Sequence, residues 1–235
     1  MAAVAQPRVA QRHASGRLAL PQPGTFAGAG LPSPDATRRT WTLATLVGRL
    51  TELSSPGSTA ALSLAFSVVL DAQRAGEPVA WLSDESSTFF PPDVANSGID
   101  LDALVVVRLA MVSQLPRAAE HLVRSGAFGL LVLDLGEAAQ VPAPMQMRLQ
   151  GLAQKHDAAI LFLTRKQREA PSLGALISLR AEARREPRAG PDQQTPDARD
   201  AGVSTFTCTA QMLKDKRCGP GWTHVEVCRG PDGLC

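Results

Sequence analysis

Acidic residues follow two apolar runs of strand length, where they could bind a metal ion or act as a general base. Asp84 and Glu85 come soon after the run at residues 79–82, and Asp134 directly follows the run at residues 130–133. The carboxyl ends of strands in a parallel sheet are a usual place for catalytic side chains. The same positions also suit a strand-end cap and solvated turn residues, so both interpretations stay open.

A turn rich in serine, proline and glycine precedes a predicted helix, and this arrangement can bind phosphate. Residues 47–53 are predicted to form a strand, residues 54–57 a turn, and residues 58–75 a helix that Gly76 ends. A strand, a turn and a helix, followed later by a strand ending in aspartate, are the skeleton of a P-loop nucleotide-binding domain. That chemistry requires Gly-x-x-x-x-Gly-Lys-Ser/Thr, whose lysine neutralises the phosphate oxygens.

The phosphate-binding lysine is missing from this turn. The turn is too short for the motif and has one glycine, and the first lysine of the chain is Lys155. Arg49 lies before the end of the strand and Arg74 at the far end of the helix, so neither replaces it locally. The sequence therefore predicts a degenerate site with no catalytic residue, no cofactor and no metal. Weak anion binding at the helix N-terminus remains open.

The elements around these residues predict an α/β fold. Further buried strands are expected at residues 104–107 and 159–163, and further helices at 116–125 and 144–156. Strands that are apolar on both faces and alternate with helices indicate a mainly parallel sheet covered on both sides. Residues 203–213 and 225–228 predict a C-terminal antiparallel hairpin with Trp222 packed at its base, whereas residues 175–185 alternate only loosely.

Composition predicts one globular domain and excludes a wholly disordered chain. Apolar residues make up 44% and charged residues 20%, and the net charge of +2 favours neither nucleic acid nor membrane binding. Residues 1–40 are expected to be a flexible basic tail, residues 41–235 one domain, and residues 187–201 a loop within it. The sequence shows no membrane span or secretory signal, so we expect a cytoplasmic protein. The four cysteines fit no CxxC-type zinc motif and are expected to be free thiols, with a metal or disulfide role as the alternative; they are Cys208, Cys218, Cys228 and Cys235.

An ordered series of segments over roughly residues 47–230 resembles the RecA recombinase family. Residues 52–64 are similar to its phosphate loop with two residues deleted, and Thr59 falls at the lysine position. Residues 79–85 resemble the following strand with Glu85 at the catalytic glutamate, and residues 124–134 resemble the Walker B strand with Asp134 at the Mg²⁺-assisting aspartate. The resemblance implies a RecA-like P-loop-type domain whose degenerate nucleotide site contains Gly57, Ser58, Thr59, Glu85 and Asp134.

The departures from RecA point to a more specific resemblance. Only 29 residues separate Asp134 from Thr164 and nine separate Lys166 from Leu176, intervals that hold longer DNA-binding loops in RecA-like recombinases. The segment before Trp41 does not resemble the one by which RecA protomers grip their neighbours. The chain is therefore similar to the ImuA family of accessory factors in SOS-induced translesion synthesis. That resemblance implies RecA, ImuB and an error-prone replicative-type polymerase as partners. The alternatives are a SulA-like division inhibitor that binds FtsZ and a DNA-dependent ATPase of the recombinase family.

Several aromatic and basic residues are candidates for partner or nucleic-acid contact, although core burial or a solvated surface would also explain each of them. The apolar pair in the loop after residue 85 could anchor an interface. The basic groups after the strand at 159–163 and around residue 184 could contact phosphates, with DNA contact expected to be weak or indirect. The candidates are Phe89, Phe90, Arg165, Lys166, Arg168, Arg184 and Arg185.

Overall fold

The computed structural model describes residues 39–57, 60–87, 89, 94, 97–137, 140–187 and 205–229. The helices are α1 (Leu43–Leu46), α2 (Ala60–Arg74), α3 (Leu115–Arg124) and α4 (Ala143–Lys155). The strands are β1 (Leu50–Ser54), β2 (Val79–Asp84), β3 (Leu104–Leu109), β4 (Leu130–Gly136), β5 (Ala159–Thr164), β6 (Leu179–Pro187), β7 (Thr205–Asp215) and β8 (Thr223–Arg229). The predicted tail at residues 1–40 lies outside the described residues except at its end, and so does the predicted loop after Pro187.

The described strands form one mixed sheet in the order β3-β2-β4-β5-β1-β6-β7-β8. Every pairing from β3 to β6 is parallel, and β6–β7 and β7–β8 are antiparallel. Parallel neighbours require crossover connections, which α2, α3 and α4 supply. The predicted fold class, a mainly parallel sheet with helices and a C-terminal antiparallel hairpin, is confirmed.

Two apolar layers cover the parallel part of the sheet. α1 and α2 pack on one face together with side chains such as Leu53 and Trp81. α3 and α4 pack on the other face against side chains such as Leu50 and Phe162. Because the central strands are buried on both faces, β5 is buried along its whole length, as its unbroken apolar sequence predicts.

The first strand begins later than predicted. Residues 47–49 do not extend it, because the backbone N–H of Val47 bonds to the carbonyl of Leu43 and so closes the short helix α1. Gly48 then turns the chain with φ of 67°, a left-handed conformation that glycine adopts without a Cβ penalty. The strand therefore starts at Leu50.

Strands β3, β4 and β6 also differ from expectation. The β3 run lies at the edge of the sheet, so Val105 is 45% exposed instead of buried. β4 continues past Asp134 to Gly136 through an irregularity in its pairing with β5. The loosely patterned residues 175–185 contain the start of β6, where Leu179 and Ala181 face the α2 layer.

The C-terminal hairpin forms as predicted. β7 and β8 pair antiparallel, and the indole N–H of Trp222 donates to Asp215 Oδ2 at 3.1 Å near its closed end. Within the described residues Cys208, Cys218 and Cys228 are free thiols, whereas Cys235 lies outside them. Of the helices that the structure describes, none has the length and apolar character needed to span a bilayer.

Candidate functional site

The polar residues singled out in the sequence gather at the edge of the sheet where the parallel strands end. β1 and β5 run in register up to Ser54 and Thr164, and β2 lies beside β4. This placement brings Asp84 and Asp134, which are far apart in the chain, to neighbouring strand ends. The carboxyl edge of the parallel strands is therefore the candidate site.

The turn after β1 uses its backbone donors within the protein. The N–H of Ser55 donates to the carbonyl of Thr164 at 3.0 Å, and the N–H of Gly57 donates to the carbonyl of Ser55 at 2.9 Å. Gly57 has φ of 109°, as a tight turn requires. A phosphate loop needs such N–H groups to point at its ligand. Ser58 and Thr59 lie outside the described residues.

A cavity of about 300 Å³ opens between the ends of β2 and β4. The hydroxyl of Ser87 donates to Asp134 Oδ2 at 2.7 Å, and the hydroxyl of Ser86 donates to Asp84 Oδ1 at 2.8 Å. None of the described turn residues 55–57 lines this cavity. Its polar lining consists of Asp84, Ser86, Ser87, Asp134, Glu137 and Arg165.

The structure revises which predicted residues meet at this site. Asp134 lines the cavity, but Glu85 is exposed in the following turn, and Asp84 takes the place beside Asp134. Arg165, predicted as a partner or nucleic-acid contact, lines the same cavity, where its backbone N–H bonds to the carbonyl of Gly136 at 2.9 Å. The contribution of Ser87 carries no sequence signal, because it depends on how the loop after β2 folds back.

The residues of this edge that the structure describes do not fit a triphosphate with its magnesium. The described turn directs two of its N–H groups at protein carbonyls, and no lysine precedes Lys155 in the sequence. Asp134 already accepts a hydrogen bond from Ser87, and an arginine lines the same cavity. Among the described residues, no group of three histidine, cysteine, aspartate or glutamate side chains is placed to hold a metal ion.

The segment between β5 and β6, residues 165–178, is fastened to the sheet by a fully buried carboxylate. Glu52 on β1 is 0% exposed and accepts a hydrogen bond from the N–H of Leu173 at 2.8 Å. It also accepts one from the hydroxyl of Thr164 at 3.1 Å, and Lys166 Nζ lies 3.3 Å from Glu52 Oε1. Lys166, predicted as a partner or nucleic-acid contact, is thus engaged inside the protein.

Two further buried side chains hold the same segment. Arg180 on β6 donates to the carbonyls of Ala170 and Gln167. Gln146 on α4 donates to the carbonyl of Leu173 at 3.0 Å. These bonds satisfy backbone acceptors of the segment, so its course is fixed by side chains from β1, β6 and α4.

The other predicted basic contacts also have partners within the fold. Glu182, which is 4% exposed, accepts a hydrogen bond from Arg168 Nη1 at 3.3 Å and lies 3.0 Å from Arg184 Nη2. Arg168 Nη1 also donates to Gln211 at 2.7 Å. The guanidinium of Arg185 lies 3.7 Å from the centre of the Phe206 ring. Among the described residues, the side chain of Arg165 has neither a hydrogen bond nor an ion pair.

The pKa values of two charged groups near the start of β6, Lys214 and Asp215, are lowered. Burial lowers the pKa of Lys214, and the neighbouring Lys216 lowers it further. Burial alone would raise the pKa of Asp215, but hydrogen bonds from Arg49, from the N–H of Arg217 and from Trp222 outweigh it and leave the pKa lowered. Arg49 Nη2 lies 2.6 Å from Asp215 Oδ1, and both side chains are almost fully buried. Arg49 and Asp215 lie at the amino ends of the parallel strands, whereas the cavity lies at their carboxyl ends. We therefore assign this ion pair a structural role.

Phe89 belongs to the core and not to a binding surface. It is 3% exposed, and its ring centre lies 4.6 Å from that of Trp81 and 5.0 Å from that of Phe66. The loop after β2 is pinned by this aromatic cluster, because burying such rings is strongly favourable. The interpretation of Phe89 as a partner contact is therefore wrong, and the core alternative holds. Phe90 lies outside the described residues.

Comparison with known proteins relates this chain to RecA. Residues 44–159 match the RecA N-terminal domain family. The chain is 41% identical over 96 residues to the protein RecA of a Nocardioides species, 40% of this chain and 27% of the relative. It is 36% identical over 104 residues to the protein RecA of Chlorobaculum tepidum, 44% of this chain and 29% of the relative.

A third relative, the protein RecA of Leifsonia xyli, is 38% identical over 96 residues, 40% of this chain and 26% of the relative. The matched part of the chain thus spans between a quarter and a third of the length of these curated relatives. The family match ends at residue 159, so the fastened segment 165–178 and the C-terminal hairpin lie beyond it. Residues 44–159 are therefore similar in sequence to the RecA N-terminal domain, and the mainly parallel sheet is that of a RecA-like fold.

Proposed function

We propose that this RecA-like chain is a non-catalytic accessory factor of SOS-induced translesion DNA synthesis. It acts by protein contact with RecA, with ImuB and with the error-prone replicative-type polymerase, and it modulates RecA activity. One observation carries the proposal: the turn after β1 closes its hydrogen bonds onto Ser55 and Thr164 in a chain with no lysine before Lys155. A protein of this shape without a triphosphate grip is suited to binding partners and not to turnover.

The fastened segment 165–178 supports an indirect role at DNA. Binding to a nucleic-acid backbone depends on cations that can neutralise phosphates. Lys166 is committed to Glu52, and Arg168 and Arg184 are committed to Glu182. We therefore expect DNA contact to be weak and the accessory role to depend on proteins already bound to DNA.

Similarity to RecA supports RecA as the first partner to test. A body that resembles one RecA protomer can dock on the end of a RecA filament, and a chain without the usual gripping segment would not extend that filament. Docking of this kind would limit filament growth and bring other factors to the filament end.

Direct binding measurements test the proposal. Purified chain is passed over RecA filaments assembled on single-stranded DNA and, separately, over immobilised ImuB. The same DNA without RecA and a FtsZ sedimentation assay serve as controls. The proposal predicts binding to RecA or ImuB, weak binding to bare DNA and unchanged FtsZ polymerisation. Binding to neither RecA nor ImuB would refute the accessory role in translesion synthesis. Inhibition of FtsZ polymerisation would favour the division-inhibitor alternative.

A second candidate, a DNA-dependent ATPase with an unconventional phosphate site, is favoured by the cavity that gathers Asp84, Asp134 and Arg165. A filter-binding assay with ATP, with and without single-stranded DNA, separates the two functions. The accessory role predicts no specific ATP binding and no effect of Asp134→Ala. The exposed Glu85→Ala variant is the matched control, since Glu85 lies outside the cavity. Micromolar ATP affinity that Asp134→Ala removes and Glu85→Ala keeps would favour the ATPase.

A further inference from the structure

Strand β8 has an open edge in the part of the chain that the structure describes. It pairs with β7 on one side, and no described strand pairs with its other side. The N–H of Met212 donates to the carbonyl of Trp222, and hydrogen-bonded pairs alternate along an antiparallel ladder. His224 and Glu226 therefore direct their backbone groups toward β7. The residues that direct their N–H and C=O groups outward are Thr223, Val225 and Val227.

Two apolar side chains of this edge strand are exposed. Val225 is 58% exposed and Val227 is 55% exposed, on the face of the sheet away from α2. Exposed edge strands are normally protected from pairing by lysine, proline or a bulge. β8, with the sequence Thr-His-Val-Glu-Val-Cys-Arg, has no lysine or proline, and its register with β7 is regular from Thr223 to Arg229. Such an edge is suited to accept another strand.

We propose that β8 is a homodimer interface, at which a second copy of this chain adds its own β8 antiparallel with the two-fold axis at Val225. In this register Val225 lies opposite Val225 of the second copy, and Thr223 lies opposite Val227. The outward backbone groups then meet in hydrogen-bonded pairs, giving about six bonds across the axis. The four exposed valines then lie side by side in one apolar patch and partly shield one another from water.

The pairing of His224 with Glu226 of the second copy selects this register over its neighbours. With the axis at Val225, His224 lies opposite Glu226 of the second copy. The two side chains already lie on the same face, with His224 Nε2 3.5 Å from Glu226 Oε2 within one copy. An axis at Glu226 would place two carboxylates directly opposite each other, which is unfavourable. An axis at His224 would place the two imidazoles opposite each other and leave Val227 without an apolar partner.

The symmetry of the contact makes it a closed assembly. Both copies use the same strand, so pairing consumes the open edge and gives a dimer instead of a filament. The sheet then continues from one copy into the other, and the two cavities at the ends of β2 and β4 stay accessible because they lie several strands away. A dimeric factor would present two copies of any partner-binding surface, which raises its avidity for repetitive targets.

Sedimentation equilibrium on the full chain tests the oligomeric state. Protein concentrations of about 1 to 100 μM suit an interface smaller than the ~1,600 Å² that a standard protein–protein interface buries. We expect a monomer–dimer equilibrium. Val225→Pro should weaken it at least about 30-fold, because proline removes the two central outward N–H donors. Val225→Thr, the matched control, should retain dimerisation. A monomer throughout the range, or a dimer insensitive to Val225→Pro, would overturn the proposal.

Disulfide trapping tests the register even where the proline variant fails to fold. In a background with Cys218 and Cys235 replaced by serine, Val225→Cys places two thiols across the axis at a Cα separation of about 5.5 Å, suited to a disulfide. Val227→Cys places them more than about 10 Å apart. We expect mild oxidation to give covalent dimers of the first variant and not of the second. Equal trapping of both variants, or trapping of Val227→Cys alone, would refute the register.

Discussion

Replacing Glu52 by alanine should loosen the segment between β5 and β6 and destabilise the protein measurably. The carboxylate is fully buried and bonds the N–H of Leu173, the hydroxyl of Thr164 and the ammonium of Lys166. Alanine removes the acceptor for all three donors at once. Two of these donors, the N–H of Leu173 and the hydroxyl of Thr164, are held inside the protein. They cannot both hydrogen-bond to water without a local rearrangement.

The expected loss in the free energy of unfolding is about 3 kcal/mol. Each buried donor left without a partner costs about 1–2 kcal/mol, and the lost methylenes and the small cavity add about 1 kcal/mol. Lys166 is 18% exposed and can turn to solvent, so its share is small. Removing a buried carboxylate also recovers desolvation free energy, which lowers the sum. Glu52→Gln should cost about half as much, because one amide oxygen can still accept from Leu173.

Urea unfolding followed by tryptophan fluorescence measures the loss, and amide hydrogen exchange at Leu173 reports the local effect. We expect exchange at Leu173 to accelerate more than exchange in β4, because the change first frees the segment 165–178. Glu85→Ala is the matched control and should change stability by no more than about 0.5 kcal/mol, since Glu85 is exposed. An unchanged urea midpoint for Glu52→Ala, with unchanged exchange at Leu173, would refute the fastening role of Glu52.

Two other changes probe the pair at the opposite sheet edge and the aromatic cluster. Asp215 has a lowered pKa, so its stabilising effect should be complete above the ordinary aspartate pKa of about 3.9 and lost as the pH falls through the folded value. Asp215→Asn should cost about 3 kcal/mol near neutral pH by leaving Arg49 buried without its partner and should flatten the acid limb of stability, measured as urea midpoints between about pH 2 and 6. Phe89→Ala should cost about 3–5 kcal/mol by thermal or urea unfolding because it leaves a cavity beside Trp81. A cost below about 1 kcal/mol would contradict the core position of Phe89.

The central fold could be predicted because its strands carry unbroken apolar runs. Helices bury both faces of β5, and of β4 up to Leu133. A strand buried on both faces is apolar at successive positions, so its sequence shows an unbroken apolar run. α1 was missed because four residues are too few to show a helical period. The alternation in β6 is hard to see in the sequence for two reasons. Ala181 and Ala183 on the α2 face are small, and Arg180 and Glu182 on the other face are charged yet buried.

The candidate site could be predicted only in part, because its residues meet through topology. Asp134 lies two residues before the end of β4, close to the predicted strand end, and its position beside the end of β2 follows from parallel pairing. Which member of the Asp84–Glu85 pair enters the cavity depends on the local direction of the chain, and the resemblance to RecA singled out Glu85, whereas Asp84 lines the cavity. The bond between Glu52 and Leu173 joins distant segments, so no local pattern announces it. Lys166 resembled a phosphate contact because its buried partner, Glu52, is equally distant in the sequence.

The RecA-like fold and the altered turn after β1 are physically compatible, because different residues determine each of them. Both apolar layers are built from side chains on the strands and helices, and the residues of the turn 55–57 contribute to neither. A lysine in that turn would face a ligand and would add nothing to the core. Its absence therefore costs the sheet no stability, while the carbonyls of Ser55 and Thr164 take up N–H groups of the turn. Glu52 works in the same direction, because it converts a connecting segment into part of the sheet's covering. A RecA-like sheet can in this way be kept by a chain whose turn after β1 has no lysine, and a preorganised surface would lower the ordering cost of the partner binding proposed above.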